Sequence, residues 1–479
     1  MPRISPRAAV RAASRATSEL SQSTPNPITP ISTMINQRAI PSDASEELAA
    51  FRSKAPKPKP EQPPPVSTRY PHQKPHRGHG PASQQQQQAR PEKEPIPIDF
   101  TGFVPRDKFE ISTSLPRSYF LGHHSAALNK MRQSLSNVGL ILELRDFRVP
   151  ISSWNPVLEE SLSSTSAGVP RSRIIVYTKR DLAPPAQMTS HGRPVPGTQP
   201  PGHVVRVLRT FHRPPRVNNV KDIIFLGMGP HGASLQPLLD GIRDVAREMD
   251  SLTGLRVMVV GMPNAGKSTL LNRLRSHSLH LGKAAKTGAQ PGVTRKLGTP
   301  VRILPGEDSG DPESMGLGEG VFIVDTPGVF VPYVSEPEAM LKLALVGCVK
   351  DGIIPAVTVA DYLLYRLNLV RETTYLQRFG MERPTNDVHQ FLRAAARRTG
   401  KLRKGGDESM EHAADWVIQE WRKGNLGRLL LDEVTPKKLE EAMELAREPS
   451  LSMNQARKRE KVARKERNEA KRAGGGESA

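Results

Sequence analysis

From residue 140 onward, short apolar runs alternate with longer segments in which apolar residues recur three and four apart. LILEL at 140–144, RIIVY at 173–177, DIIFL at 222–226, LRVMVV at 255–260 and VFIVD at 321–325 predict buried strands. Between several of them lie helical patterns, SLQPLLDGIRDVAREM among them. Such alternation indicates a doubly wound α/β sheet with helices on its faces. Upstream, SYFLGHHSAALNKMRQSLSNVG predicts a loop entering a helix, because Ala126, Leu128, Met131 and Leu135 fall near helical spacing. Beyond about Pro337 the strand signals stop. EAMLKLALVGCV, ADYLLYRL, DVHQFLRAAARR and HAADWVIQEWRKG are amphipathic helical patterns, so a small all-helical C-terminal domain follows. The division expected is an α/β domain over 106–335 and a helical domain over 336–450, with order beginning near Phe109.

Composition confines that folded part. Hydrophobic residues make up 36%, aromatics 5%, and there are 45 prolines, too polar and proline-rich for one compact body throughout. PKPKPEQPPP and QQQQQ place a disordered linker over 21–105. The first segment, 1–20, carries Arg3, Arg7, Arg11 and Arg15 with no acidic residue before Glu19, the composition of a mitochondrial presequence or of a plain basic tail. NQARKREKVARKERNEAKR, within a basic tail over 451–479, reads as a solvated helix face or as an RNA-contacting extension. The net charge of +21 favours a polyanionic partner, RNA before anionic lipid. A single cysteine, Cys348, excludes an internal disulfide framework and a cysteine-based zinc site. No apolar run reaches the length of a transmembrane helix, which leaves a soluble protein or one peripheral to a membrane.

The strongest chemical signal is GMPNAGKST, Gly261 to Thr269, between a predicted strand and a predicted helix. Its glycines let backbone N–H groups approach phosphates, with Asn264, Ala265, Gly266 and Thr269 lining the loop. Lys267 would reach the β/γ-phosphates and Ser268 would hold Mg²⁺. DTPG, Asp325 to Gly328, ends a buried strand downstream: Asp325 would bind Mg²⁺ through water, and the Gly328 N–H would sense a γ-phosphate. Between them, GAQPGVTRK offers Thr294 to complete the Mg²⁺ shell, or is a plain turn at Pro291-Gly292. The base reader precedes the phosphate reader. TKRDL follows the strand RIIVY, and Asp181 can accept from the adjacent N1–H and 2-amino donors of guanine, with Thr178 beside it and the Lys179 stem along the ring. The loop GMGPHG, starting at Gly227, would touch the base edge.

This order resembles the circularly permuted GTPases of the YlqF/YawG family, most closely the ribosome-assembly branch that contains RbgA and the mitochondrial GTPases. The resemblance runs from about Ser118 to Asp432. SYFLGHHSAALNKM is similar to that branch's Trp-Phe-Pro-Gly-His-Met motif, and RDFRVPISSWNP to its Asp-Ala-Arg-x-Pro-x-Ser-x-x-Asn-Pro motif. GMPNAGKST, PGVTR and DTPG match closely, and AADWVIQEWRKGNLG is similar to its C-terminal domain. Thr178 stands where the family has Asn, Phe147 where it has Ala and Leu121 where it has Pro, and a lineage-specific insert is expected around 188–215.

The resemblance implies a P-loop GTPase sheet with permuted motif order, GTP and Mg²⁺ as ligands, and K⁺ held by Asn264. It implies an assembly factor for the mitochondrial large ribosomal subunit that binds rRNA, regulates mitochondrial translation and works in the matrix, peripheral to the inner membrane. Lys267 and Gly328 would carry the phosphate chemistry. Val329 follows DTPG where Ras-type enzymes use a glutamine to orient water, so intrinsic hydrolysis should be slow. His123 matches the motif's histidine and would position water, or it caps the following helix; His124 is the poorer candidate. Asp146, Arg148 and Asn155 are expected to be structural or partner-contacting. A non-catalytic RNA-binding scaffold with a degenerate nucleotide site is the alternative, and an ATP-dependent enzyme would require that Asp181 play no part in base choice.

Overall fold

The computed structural model describes residues 98–112, 115–119, 122–163, 171–184, 199–212, 219–227, 229, 234–285, 288, 297–331, 333–401, 407–447 and scattered positions from 454 to 465, with backbone alone at 122–123, 159–160 and 162–163. The expected presequence, the linker up to 97, the PGVTR segment with Thr294 and most of the basic tail lie outside the described residues.

Six strands form one sheet in the order β3-β2-β1-β4-β6-β5. They are β1 (Leu140–Asp146), β2 (Ser172–Thr178), β3 (Val220–Phe225), β4 (Leu255–Gly261), β5 (Val301–Leu304) and β6 (Val321–Asp325). All neighbouring pairs are parallel except β5 with β6, which is antiparallel. The α/β class expected from the alternation is the class observed. β5 was not among the expected strands: VRIL is four residues long and lies at the sheet edge, where one half-buried and one exposed position leave little apolar signal.

The central strands are buried on both faces, as a parallel sheet requires. Leu140, Leu142 and Leu144 of β1 pack with Val257 and Val259 of β4 beneath α4 (Gln236–Met249) and α5 (Lys267–Leu279). On the opposite face, Ile141 and Met258 pack with α1 (Gly122–Ser134) and α2 (Pro156–Ser163). α3 (Pro201–Phe211) covers the β2–β3 end of that face with Val204, Leu208 and Phe211 against Ile175, Tyr177, Ile223 and Phe225. Each such side chain contributes about 1.5–3 kcal/mol of burial. The segment expected as an insert, 188–215, therefore contains a helix that closes the sheet. Its flanking prolines and glycines disguise an amphipathic helix with Pro201 at the N-terminal position where its missing N–H costs nothing.

A second core is built by α6 (Pro337–Leu345), α7 (Ala356–Leu369), α8 (Thr374–Phe379), α9 (Val388–Thr399) and α10 (Met410–Arg422). Ile98, Phe100, Phe109 and Ile111 pack against this helical core, and Arg106 bridges to Asp361 at 2.6 Å, so residues 98–111 attach to the C-terminal helices rather than to the sheet. α11 (Pro436–Arg447) crosses the other way, burying Leu439 with the α3 cluster. Between the two bodies, the Asp432 carboxylate accepts from Ile151 N at 3.0 Å, Ser152 N at 2.7 Å and Ser152 Oγ at 2.7 Å, and pairs with Lys342 at 3.4 Å.

Candidate functional site

The phosphate-type loop connects β4 to α5 where strand ends meet helix starts, the usual ligand edge of an open α/β sheet. Gly261 has φ +145°, and a Cβ there would lie 2.3 Å from Leu144 O, so only glycine lets β4 run this close to β1. Gly266 enters α5 at φ +93°, and Asn264 takes φ +56°, the left-handed region that asparagine tolerates better than most residues. Ala265 is buried, and Thr269 is half-buried on the first turn of α5.

Lys267 is 6% exposed, and its ammonium donates to Met262 O at 2.8 Å and Gly261 O at 3.2 Å. Burial pulls its pKa from 10.5 down to about 8, against the attraction of Asp325. Ser268 Oγ donates to Asp325 Oδ2 at 2.5 Å. A hydroxyl and a carboxylate brought together are hard oxygen donors of the kind Mg²⁺ takes, so these two residues fit that ion. Thr326 is fully buried with its hydroxyl on Val259 O at 2.6 Å, which fixes the β6 end against β4. Gly328 lies against the loop: a Cβ there would come within 2.6 Å of both Pro263 N and Pro263 Cα.

Val329 does not face this site. It is fully buried with Met131, Val157, Met258 and Val260, while its N–H donates to Gly261 O at 3.2 Å and its carbonyl accepts from Asn155 Nδ2 at 2.8 Å. This side chain belongs to the core under α1 and α2. Asn155 also caps α2, its Oδ1 accepting from Val157 N at 3.1 Å, so it joins a helix start to the segment after DTPG. His123 sits in the first turn of α1 and its side chain is outside the described set. His124 is buried edge-on to Tyr119 at 5.7 Å, a packing role.

The TKRD turn lies beside the loop, as the shared sheet edge dictates. Thr178 is fully buried, its hydroxyl donating to Ala265 O at 2.8 Å. It braces the phosphate-type loop from the end of β2. Lys179, at φ +59°, donates to Asn264 O at 2.7 Å and Asp146 Oδ2 at 2.9 Å. Asp181, on the single 3₁₀ turn Arg180–Leu182, accepts from Gly229 N at 3.1 Å. A Cβ on Gly229 would sit 2.9 Å from that carboxylate oxygen, so GMGPHG meets the TKRD turn through its glycine. Arg273 of α5 donates to Gly227 O at 2.6 Å, tying the same loop to the helix that starts at Lys267.

Two supports stand behind the loop, one among the residues expected to be structural and one not foreseen. Asp146, at the end of β1, is 1% exposed and accepts from Arg148 Nε at 3.0 Å and from one Arg148 terminal nitrogen at 2.8 Å, besides Lys179. Burial would raise its carboxyl, but Arg148 and Lys179 outweigh burial and hold it well below the ordinary carboxylate range. The other support is Gly347, just past α6, whose carbonyl accepts from Asn264 Nδ2 at 2.6 Å. The RDFR string held a signal for the first, a carboxylate and an arginine two apart at a strand end. No local pattern marks the second.

Residues 256–384 match the family described as 50S ribosome-binding GTPase. The chain is 35% identical over 339 residues to Mitochondrial GTPase 1 of Schizosaccharomyces japonicus, covering 68% of this chain and 94% of that protein. It is 30% identical over 338 residues to Mitochondrial ribosome-associated GTPase 1 of Xenopus tropicalis, covering 68% and 98%. Among solved structures it is similar to GNP-bound YlqF from T. maritima, at 22% identity and a TM-score of 0.36, over 64% of this chain and 98% of that one.

Proposed function

The chain belongs to the Mitochondrial GTPase 1 family, and from that premise we propose that it is an assembly factor for the mitochondrial large ribosomal subunit, hydrolysing GTP while bound to rRNA and thereby regulating mitochondrial translation. The names of the relatives support a mitochondrial site of action and a ribosomal partner; we further propose a matrix location peripheral to the inner membrane. Among the described residues no helix is long and apolar enough to cross a membrane. The net charge of +21 supports an RNA-bearing partner.

In this reading Gly266, Lys267 and the neighbouring backbone of Asn264, Ala265 and Thr269 cradle the phosphates. Ser268 and Asp325 would hold Mg²⁺, Thr294 would complete its shell, and the ion would supply positive charge beside the phosphoryl oxygens. Asp181 reads guanine, the Lys179 stem lies along the ring, and Thr178 acts through Ala265 O. Gly328 reports on the γ-phosphate, His123 positions water, and Asn264 is the residue to which a K⁺ requirement would trace.

One observation carries the coupling to a large partner. Directly after DTPG, Phe330, Val331 and Val334 are core residues of the helical body. A rearrangement at Gly328 therefore displaces side chains packed among α6–α10, so nucleotide state and partner binding are mechanically joined. The test is GTP hydrolysis in potassium buffer with and without purified mitochondrial large subunits, alongside Lys267→Ala. The expected result is slow turnover that subunits raise strongly and the variant abolishes. Subunit binding without any Lys267-dependent hydrolysis would replace this reading with that of an RNA-binding scaffold.

A further inference from the structure

The phosphate-type loop is held from behind at one residue, Asn264, by two chains of contacts that end on consecutive residues of one helix. The first runs through the helical body. Arg422, the last residue of α10, donates through Nε to Leu345 O at 2.9 Å and through a terminal nitrogen to Ala344 O at 2.8 Å. The same terminal nitrogen meets Asp351 at 3.1 Å. These contacts gather the carbonyl end of α6 and the following turn around one guanidinium. Gly347 sits in that turn at φ +86°; a Cβ there would meet Asn264 Nδ2 at 3.2 Å and Arg422 Cζ at 3.3 Å. Its carbonyl accepts from Asn264 Nδ2 at 2.6 Å.

The second chain runs through the sheet. The Asn264 carbonyl accepts from Lys179, Lys179 is held by Asp146, and Asp146 by Arg148. The Arg148 guanidinium lies 5.0 Å from the ring centre of Trp421, and its backbone carbonyl accepts from Leu431 N at 2.8 Å. Arg148 is 1% exposed, so the cation is sandwiched between the helical body and Asp146 without solvent to screen it.

We propose that Trp421 and Arg422 are positioning residues for the nucleotide site, setting Asn264 through Gly347 and Lys179 through Arg148 and Asp146. The helical body thus fixes both the phosphate-type loop and the base loop. Whatever shifts α10 changes guanine-nucleotide affinity, and nucleotide binding biases α10 by the same factor. This inference rests on the roles given above to Asn264 and Lys179.

The test is a double-mutant cycle on the full chain, read by titration with a fluorescent GDP analogue and by kcat and KM for GTP. Arg422→Ala is expected to raise Kd and KM about tenfold with kcat nearly unchanged, because the reacting groups stay in place while the loop that holds phosphate loosens. Arg422→Lys, which keeps the charge but not the forked geometry, should recover only part of the loss. If Arg422 acts through Asn264, the Asn264→Ala, Arg422→Ala double variant binds no worse than Asn264→Ala alone. Losses that multiply in the double variant, or an Arg422→Ala protein with a lowered melting temperature and an unaltered Kd, would overturn the proposal. Should Arg422→Ala fail to fold, Arg148→Lys and Trp421→Phe carry the same comparison, and unchanged Kd in both refutes it. Lys267→Ala serves as control: if it too leaves Kd unchanged, the assignment of the site itself has failed.

Discussion

Lys267 lets function and stability be separated by a single substitution, Lys267→Met. Methionine has nearly the volume of the lysine stem and no charge. The ammonium is buried, and its pKa falls from 10.5 to about 8 because burial disfavours the cation more than Asp325 favours it. At about 1.4 kcal/mol per tenfold change, that fall corresponds to a penalty of about 3 kcal/mol for carrying the charge in the folded protein at neutral pH. Two hydrogen bonds from this charged donor, about 1.5 kcal/mol each at the low end of their range, offset most of it. Neither acceptor is stranded by their loss, since Gly261 O also takes Val329 N at 3.2 Å and Met262 O also takes Ala265 N at 3.4 Å. The nucleotide-free variant should therefore be at least as stable as wild type near neutral pH, the gain staying below about 1 kcal/mol. The sign of the pH dependence follows from proton counting. Between pH 8 and 10.5 the unfolded chain binds more protons at this residue than the folded one, so wild-type stability rises across that window and the variant's advantage shrinks. Urea unfolding of both proteins, stripped of nucleotide and followed at several pH values, measures this; titration with a fluorescent GDP analogue should show the variant no longer binds. A variant less stable than wild type at neutral pH, or a difference that does not change with pH, refutes the reasoning.

Asp181→Asn should move selectivity from guanine toward xanthine nucleotides, read by competition against labelled GDP; unaltered selectivity removes Asp181 from base reading. Thr178→Val deletes the hydroxyl bond to Ala265 O and leaves that carbonyl short of a donor in a buried place. It should cost about 1–3 kcal/mol in stability and weaken GDP binding, with guanine preference intact in the same competition. Val329→Gln places an amide in an apolar cluster at a fully buried position, so it should destabilise by about 2–4 kcal/mol and leave GTP turnover no faster. Faster turnover in that variant would show that the position does reach the reacting phosphate.

What the chain pattern made legible was the part of the fold set by local periodicity. The strands at 140–144, 173–177, 222–226, 255–260 and 321–325 lie buried on both sides, where continuous apolar runs are the only solution. β5 escaped because an edge strand of four residues needs few apolar side chains. α3 escaped because the prolines around it obscure the pattern, although Val204, Leu208 and Phe211 fall on one helical face. In the site, GMPNAGKST and DTPG were legible because glycines and a lysine at fixed offsets answer to backbone geometry within one turn. That Val329, the residue following DTPG, packs between α1, α2 and the sheet is something no neighbouring letter reveals. Asp146, Arg148, Gly347 and Arg422 act across separations of tens to hundreds of residues, and only the folded arrangement brings them to Asn264.

The order of segments along the chain gives that arrangement a consequence. The two ends of the helical body reach the nucleotide side by different routes: Phe330, directly behind Gly328, enters its core from one side, and the turn after α10 returns to the sheet through Leu431 N and Asp432 on the other. A packed core transmits displacement in steps rather than stretching, because its side chains sit at van der Waals contact in few rotamers. Fixing the body at only one of these ends would let it swing freely with the switch. Fixing it at both, with Trp421 and Arg422 between them, makes any movement at Gly328 act against the contacts that hold Asn264 and Lys179. On the function proposed above, movement of the switch and grip on the nucleotide would then be opposed through the same helices, and a partner bound to the helical body would gain leverage over both.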